Sequence, residues 1–115
     1  MKQYSFQKEK RIHSNNQFVY LIRHGRYLRN KLLTIYIAKN DYDFPRLGIS
    51  VGKFYGNALK RNKFKRLVRE AFRLNQHKIP SGHDYLVRAG QKTHSIKYEQ
   101  IKDAFLNLIV LDSNK

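Results

Sequence analysis

The residues best suited to chemistry in this sequence are cations in the run from Gly56 to Arg73, GNALKRNKFKRLVREAFR. Wound as a helix, the run separates an apolar stripe from an opposite, mostly cationic face. The stripe is Phe64, Leu67, Val68, Ala71 and Phe72, and the face is Asn62, Arg66, Arg69 and Arg73, flanked by Lys60, Lys63 and Lys65. A solvated helix face normally mixes both signs, but Glu70 is the one acid in this run. Because like charges one turn apart repel each other, the pattern favours binding of a polyanion over a merely solvated surface.

The composition points to the same kind of partner. The 115 residues include 24 Lys and Arg against 8 Asp and Glu, a net charge of +16, which attracts nucleic acid or anionic membrane surfaces. No apolar run approaches the roughly 20 residues of a membrane span, and the basic N-terminus lacks the apolar stretch of a signal peptide. Since cysteine is absent, disulfides and thiolate metal sites are excluded. We therefore expect a cytosolic protein that binds nucleic acid and no membrane.

The residue types that catalyse reactions or bind metals form no constellation. Asp41 and Asp43 alternate within a turn, as in a solvated loop, and the other acids are scattered. The five histidines share no metal-ligand spacing, and neither a nucleophile motif nor a glycine-rich phosphate loop is present. The sequence therefore predicts a binding protein without catalytic or metal-binding residues of its own.

The first half of the chain reads as a helix followed by strands. Residues 1–13 are interpreted as a flexible basic arm and residues 14–112 as one domain. A capping box at Ser14 begins a short helix, and Gly25 can end it. Residues 26–31 are expected to hold an edge strand, 32–38 a buried strand and 46–51 another, with a turn over 40–45. Two strands joined by such a turn are predicted to pair antiparallel.

The second half supplies the long basic helix and its surroundings. Asn57 is a plausible N-cap, and the helix is expected to fade near residues 76–77. A strand over 84–89 and a last helix follow, the latter with an apolar pattern of Ile101, Ala104, Phe105, Leu108 and Ile109. These elements predict one α+β layer sandwich.

The basic run also resembles the signature of the bacterial ribonuclease P protein component. The matching residues are Lys53, Gly56-Asn57-Ala58, Arg61-Asn62-Lys63, Lys65-Arg66 and Arg69-Glu70-Ala71-Phe72, and the similarity extends roughly from Arg11 to Leu108. Lys63 stands where the family usually has arginine, which keeps the charge but loses the bidentate fork. Phe54 and Tyr55 are bulkier and more apolar than the lysine-rich version common before the basic helix.

The resemblance implies both a fold and a function. The fold is a two-layer αβββαβα sandwich with a mostly antiparallel central sheet, related to a domain of a small-subunit ribosomal protein. Its β-α-β crossover through the basic helix is left-handed, against the usual hand. The function is that of the protein subunit of a ribozyme that removes the 5′ leader from precursor tRNA. The RNA subunit holds the catalytic Mg²⁺, and no stable protein partner is expected.

The resemblance also assigns roles to individual residues. The positions that match the RNA-docking motif are Arg61, Asn62, Lys63, Lys65, Arg66 and Arg69, and Arg73 extends the same face by one turn. The positions that match the leader cleft are Phe18, Tyr36, Ser50 and Lys53. Ordinary core packing is an equally good interpretation of Phe18, whereas the phenol of Tyr36 favours the cleft.

Two other functions fit the charge and the aromatic residues. A ribosomal or chaperone-type RNA-binding protein would show the same composition, and it would bind ribosomal RNA while ignoring ribonuclease P RNA. A DNA-binding helix in the major groove is the weaker alternative, and it would require a preference for duplex DNA.

Overall fold

A mixed four-stranded sheet and three helices make up the part of the chain that the computed structural model describes, residues 10–92 and 95–113. The elements in chain order are α1 (Asn15–His24), β1 (Arg26–Arg29), β2 (Leu33–Lys39), β3 (Arg46–Ser50), α2 (Ala58–Leu74), β4 (His83–Ala89) and α3 (Tyr98–Ser113). The α+β class and the αβββαβα order predicted from the sequence are therefore confirmed. Single 3₁₀ turns at Lys53–Tyr55 and Gln76–Lys78 flank α2.

The strand order is β1-β2-β4-β3, so the predicted antiparallel pairing of β2 with β3 is wrong. β4 lies between them, antiparallel to β2 and parallel to β3. Neighbouring strands are about 4.8 Å apart, so the 40–45 connection must span about twice that distance. It passes the start of β4, where the backbone N–H of Asn40 donates to the carbonyl of Gly82 at 2.9 Å. β3 and β4 are joined through α2, the crossover for which the resemblance predicts a left hand.

The main core lies between one face of the sheet and the helices α2 and α3. Leu33, Ile35 and Ile37, which alternation places on one face of β2, are buried in this core. All five apolar stripe residues of α2 are buried there, and so are all five of α3. Asn57 caps α2 as expected, because its side-chain oxygen accepts from the N–H of Lys60 at 3.0 Å. Burial of its apolar stripe leaves the cationic side of α2 facing outward.

A smaller core forms on the other face of the sheet, under α1. Ile12, Leu21 and Leu86 are buried in it, and Phe18, Tyr36 and Ala38 pack against them. The predicted N-cap is present, since Ser14 Oγ accepts from the N–H groups of residues 16 and 17. The strand residues that this core contains are Tyr36 and Ala38 of β2 and Leu86 of β4.

Gly25 ends α1 as predicted, but not through a left-handed conformation. Its backbone is extended (φ −78°), and its N–H donates to the carbonyl of Leu21 at 2.9 Å. A Cβ at this position would lie 2.7 Å from that carbonyl oxygen and 2.9 Å from the carbonyl oxygen of Ile37. Glycine is therefore needed here so that the end of the helix can approach β2.

The end of the sheet near the 40–45 connection is held by a buried polar cluster. Arg46 and Asp84 form a bidentate ion pair, with distances of 2.8 and 2.6 Å, and their side chains are only 13% and 12% exposed. Asn40 donates to the same carboxylate at 2.8 Å. The hydrogen bond to Asp84 raises the pKa of the Arg46 guanidinium above its ordinary value. The cluster joins β3, β4 and the connection into one unit.

The described part of the predicted basic arm runs along the outer edge of β3. Residues 1–9 lie outside the described residues, whereas Arg11 forms a parallel bridge with Leu47, and the N–H of Ile12 donates to the Leu47 carbonyl at 2.8 Å. Lys10 Nζ lies 3.1 Å from the side-chain oxygen of Gln76. The edge strand is therefore partly covered by the chain segment that precedes α1.

Candidate RNA interface

The exposed side of α2 carries most of the cations that the sequence analysis singled out. Asn62, Lys63, Arg66 and Arg69 are exposed, and Arg61, Lys65 and Arg73 are half-buried. The helix positions them because its apolar stripe is fixed in the main core. Charge-assisted donors on one rigid surface can bind phosphates without reading base sequence.

Two members of this set also have contacts within the protein. Arg61 Nε donates to the carbonyl of Gly56 at 3.0 Å, which ties the helix to the loop before it. Arg73 pairs with Glu70 at 2.6 Å, so its charge is partly balanced. The exposed residues Asn62, Lys63, Arg66 and Arg69 thus form the part of the surface best suited to an external polyanion. We call these four residues the α2 surface.

A cleft of about 300 Å³ joins α2 to the outer edge of β3 and to the segment before α1. Its lining combines apolar and cationic side chains, namely Arg11, Ile12, His13, Phe18, Leu47, Ile49, Lys65 and Arg69. Phe18 and Arg69 were assigned to different partners in the sequence analysis, and the fold brings both to this cleft. An RNA lying in it would contact residues of both predicted sets.

The ring of Phe18 is placed by a glycine on β3. A Cβ at Gly48 would lie 2.7 Å from Cε1 of Phe18 and 3.2 Å from Cβ of Ile12. The ring packs against the smaller core, yet it is only half-buried and also lines the cleft. One part of the Phe18 ring therefore packs in the smaller core, and another part is open to a ligand in the cleft. Each of the two interpretations of Phe18 fits one part of the ring.

Tyr36 lies on the same side of the sheet as α1. It packs against the smaller core and remains half-buried, and its ring centroid is 5.7 Å from that of Tyr27 on the neighbouring strand. Tyr27 is 58% exposed, so the pair presents aromatic surface beside α1. No role for Tyr27 follows from the sequence, because the four residues of β1 are too short a pattern to assign their faces.

Beyond α1, a line of polar residues crosses all four strands on this side of the sheet. Register pairs Arg29 with Thr34, Thr34 with Arg88, and Arg88 with Ser50. Since directly paired residues project to one side, the four side chains form one row, which we call the polar row. Both arginines are exposed, and the threonine and serine are half-buried. Ser50, a predicted leader-binding residue, is thereby placed beside two cations.

Arg29 and Arg88 are candidate binding residues that the sequence analysis missed. Arg88 alternates with Val87 and Ala89, so alternation along β4 could have assigned it to the side opposite theirs. Lys53, the remaining predicted leader residue, is exposed at the start of the 3₁₀ turn after β3. The predicted leader residues thus lie on or next to one side of the sheet.

The described residues offer little to bind a metal ion or to span a membrane. Within 10–92 and 95–113, no three His, Asp or Glu side chains are grouped where they could hold a metal. Over those same ranges, none of the helices has the length and apolar character needed to cross a bilayer.

Comparisons with known proteins find relatives that match most of the chain. A family model described as Ribonuclease P matches residues 6–110. The ribonuclease P protein component of Syntrophus aciditrophicus is 41% identical over 101 residues, which are 88% of this chain and 85% of that protein. The RNase P protein from Thermotoga maritima superposes with a TM-score of 0.80 at 34% identity, covering 86% of this chain and 94% of its own. The Staphylococcus aureus RNase P protein gives 0.81 and 33%, covering 90% and 94%.

Proposed function

Because the chain belongs to the ribonuclease P protein family, we propose that it binds a bacterial ribonuclease P RNA and the 5′ leader of precursor tRNA. In this proposal the protein assists endonucleolytic removal of the leader, which gives the mature 5′ end of tRNA. The observation that supports it most is the cleft, where Lys65 and Arg69 of α2 lie beside Phe18 of α1 at the outer edge of β3. One molecule thereby offers a phosphate-binding helix beside a surface for single-stranded RNA.

The α2 surface is assigned to the RNA subunit. Its members are exposed donors on a helix whose other side is fully buried, so they approach a folded RNA as a rigid unit. Arginine forks bind phosphate oxygens in a bidentate manner, and Lys63 contributes a point charge. Arg61, Lys65 and Arg73 extend the contact on either side. The interaction fixes register and orientation without base specificity.

The leader is assigned to the side of the sheet that carries α1. A single strand offers unstacked bases, which aromatic rings bind by stacking, and phosphates, which lysine and arginine bind. Phe18 and Tyr36 supply rings, Lys53 and Arg88 supply cations, and Ser50 supplies a hydroxyl. This arrangement binds RNA of varied sequence.

The catalytic Mg²⁺ is assigned to the RNA subunit rather than to this chain. Mg²⁺ prefers carboxylate, phosphate and water oxygens in octahedral geometry. The described residues contain no group of three carboxylate or imidazole side chains that fits such a site. The contribution of the protein is therefore to position RNA and to neutralise phosphate charge.

Reconstitution tests this function directly. Precursor tRNA cleavage is measured at low Mg²⁺ with a bacterial ribonuclease P RNA, with and without this protein, and with the protein alone. Activity of the combination only is the expected result. Cleavage by the protein alone would refute the division of labour, and an RNA activity unaffected by the protein would favour a ribosomal-type RNA-binding function.

Replacing Tyr36 by alanine tests the leader assignment. In the assembled enzyme we expect precursor tRNA to bind about 5- to 10-fold more weakly, because stacking on an aromatic ring contributes about 1–3 kcal/mol and Tyr36 is half-buried. Mature tRNA, which has no leader, is expected to bind as before. Tyr36→Phe serves as the control that keeps the ring. Equal losses for precursor and mature tRNA would remove Tyr36 from the leader site.

A further inference from the structure

Phe54 is a large apolar side chain that the fold leaves 61% exposed, in the turn between β3 and α2. The adjacent Tyr55 is only 2% exposed, and its ring centroid is 5.1 Å from that of Phe64 in the main core. Tyr55 therefore anchors the turn, whereas the ring of Phe54 meets that of Tyr55 edge-on at 6.2 Å between centroids and stays at the surface. Exposed single apolar residues are common, so exposure alone does not indicate a binding function. The position of the ring relative to the leader site is the informative observation.

The ring of Phe54 lies over Gly52. Gly52 is extended (φ −78°, ψ 164°), and a Cβ built on it would lie 2.9 Å from Cδ1 and 3.1 Å from Cε1 of Phe54. The ring thus occupies the space where a side chain of residue 52 would project. Any larger residue at position 52 would displace it.

The side of the sheet to which this ring belongs follows from the alternation along β3. Ile49 and Val51 pack against the main core, so residues 48, 50 and 52 project to the opposite side. Ser50, the last residue of β3, belongs to the polar row, and Gly52 lies two residues beyond it with an extended backbone that continues the alternation. The ring of Phe54 therefore lies at the β3 margin of the polar row, and the exposed Lys53 precedes it directly.

We propose that Phe54 is a stacking platform for one unpaired base of the precursor tRNA leader. This inference rests on the proposed function, because it takes the leader to lie along the polar row. There Lys53 and Arg88 are available to the phosphates, and Phe54 adds an apolar plane beyond the last strand. Every base has a flat face, so such a contact adds affinity without strong base preference. It also extends the leader site to a residue outside the motif that the sequence analysis used.

Leader binding by the reconstituted holoenzyme tests the proposal. With a long leader, Phe54→Ala is expected to bind precursor tRNA about tenfold more weakly, and with a leader of one nucleotide it is expected to bind like wild type. Phe54→Trp keeps a flat ring and restores affinity, whereas Phe54→Leu, which is apolar but not planar, does not. Leu111→Ala, at another exposed apolar residue (56% exposed), is the control and is expected to change nothing.

An abasic scan of the leader locates the contact. Single nucleotides are replaced in turn by abasic residues, which keep the phosphate and remove the base. At one position, the abasic change is expected to weaken binding of precursor tRNA about tenfold in the wild-type enzyme. In Phe54→Ala the same change is expected to weaken binding no further, because losing the ring and losing the base remove the same interaction. Separate, additive losses at every position would overturn the proposal.

A lysine at position 54 distinguishes stacking from simple attraction to phosphate. Phe54→Lys is expected to bind more weakly than wild type at high salt and with a steeper salt dependence. Wild-type affinity for Phe54→Lys at all salt concentrations would overturn the proposal. These outcomes differ from failure of the proposed function, in which wild-type protein itself would not distinguish precursor from mature tRNA.

Discussion

Replacing Arg66 and Arg69 together by alanine is expected to weaken binding to ribonuclease P RNA by about 30- to 100-fold, a loss of about 2–3 kcal/mol for two charge-assisted contacts. The dependence of log K on log salt is expected to become shallower by about 1.5 to 2, because fewer counterions are released. Both side chains are exposed, so the stability of the protein changes little. Filter binding or fluorescence anisotropy over a series of salt concentrations measures both quantities.

The matched control removes the same charge from another surface. Lys92 and Lys97 are exposed and lie near the start of α3, away from α2 in sequence and outside the cleft. Their double alanine variant lowers the net charge equally but is expected to keep nearly the wild-type salt dependence. Arg66→Lys with Arg69→Lys keeps the charge and is expected to lose only the part of the affinity that comes from the fork. Equal slopes for the two double alanine variants would remove the α2 surface from the interface.

Asp84→Ala is expected to lower the free energy of unfolding by about 3–5 kcal/mol. The substitution leaves Arg46, whose side chain is 13% exposed, without the carboxylate that it contacts through two nitrogens. A buried charge that loses its partner costs about 3–5 kcal/mol, far more than an exposed pair contributes. Asn40 loses an acceptor as well. Urea unfolding followed by circular dichroism measures the change.

Two further variants separate the possible causes of that loss. Glu99→Ala breaks the ion pair with Lys102, in which the Glu99 side chain is 72% exposed, and is expected to cost less than about 1 kcal/mol. Arg46→Met combined with Asp84→Leu removes both charges and is expected to recover much of the stability lost in Asp84→Ala. A loss for Asp84→Ala no larger than that for Glu99→Ala would contradict the account.

The sequence alone predicted the elements well, because their signals are local. The stripe on α2 and the N-caps Ser14 and Asn57 depend on residues within a few positions of one another. The apolar and β-branched run over 32–38 likewise predicted a buried strand before its neighbours were known.

The arrangement of the strands could not be predicted in the same way. Alternation tells which side of a strand is buried, but it contains no information on which strand lies next to it. The pair Arg46 and Asp84, 38 positions apart, connects the parallel strands β3 and β4, and neither residue stands out in its own segment. The prediction of a β2-β3 hairpin was wrong for this reason.

The candidate site likewise has one part that could be predicted from the sequence and one part that could not. The α2 surface was predicted because its residues repeat with the helical period within one segment. The polar row was not, since its four members come from four strands and meet only through register. Alternation along β4 could have assigned Arg88 to this side of the sheet. Assigning Arg29 required knowing that β1 pairs with β2. The position of the Phe54 ring over Gly52 depends on the fold of the turn and could not be predicted from the sequence.

The central position of β4 has a consequence for synthesis of the chain. β2 and β3 share no pairing of their own, and the strand that joins them begins only at residue 83. While residues before 83 emerge from the ribosome, two thirds of the protein lacks the neighbour that completes its sheet. A chain that ends at residue 82 is expected to show no cooperative thermal transition, and a sharp transition would contradict this. Until β4 is made, the apolar stripe of α2 has no complete sheet to pack against, while its cations are already able to bind ribosomal RNA.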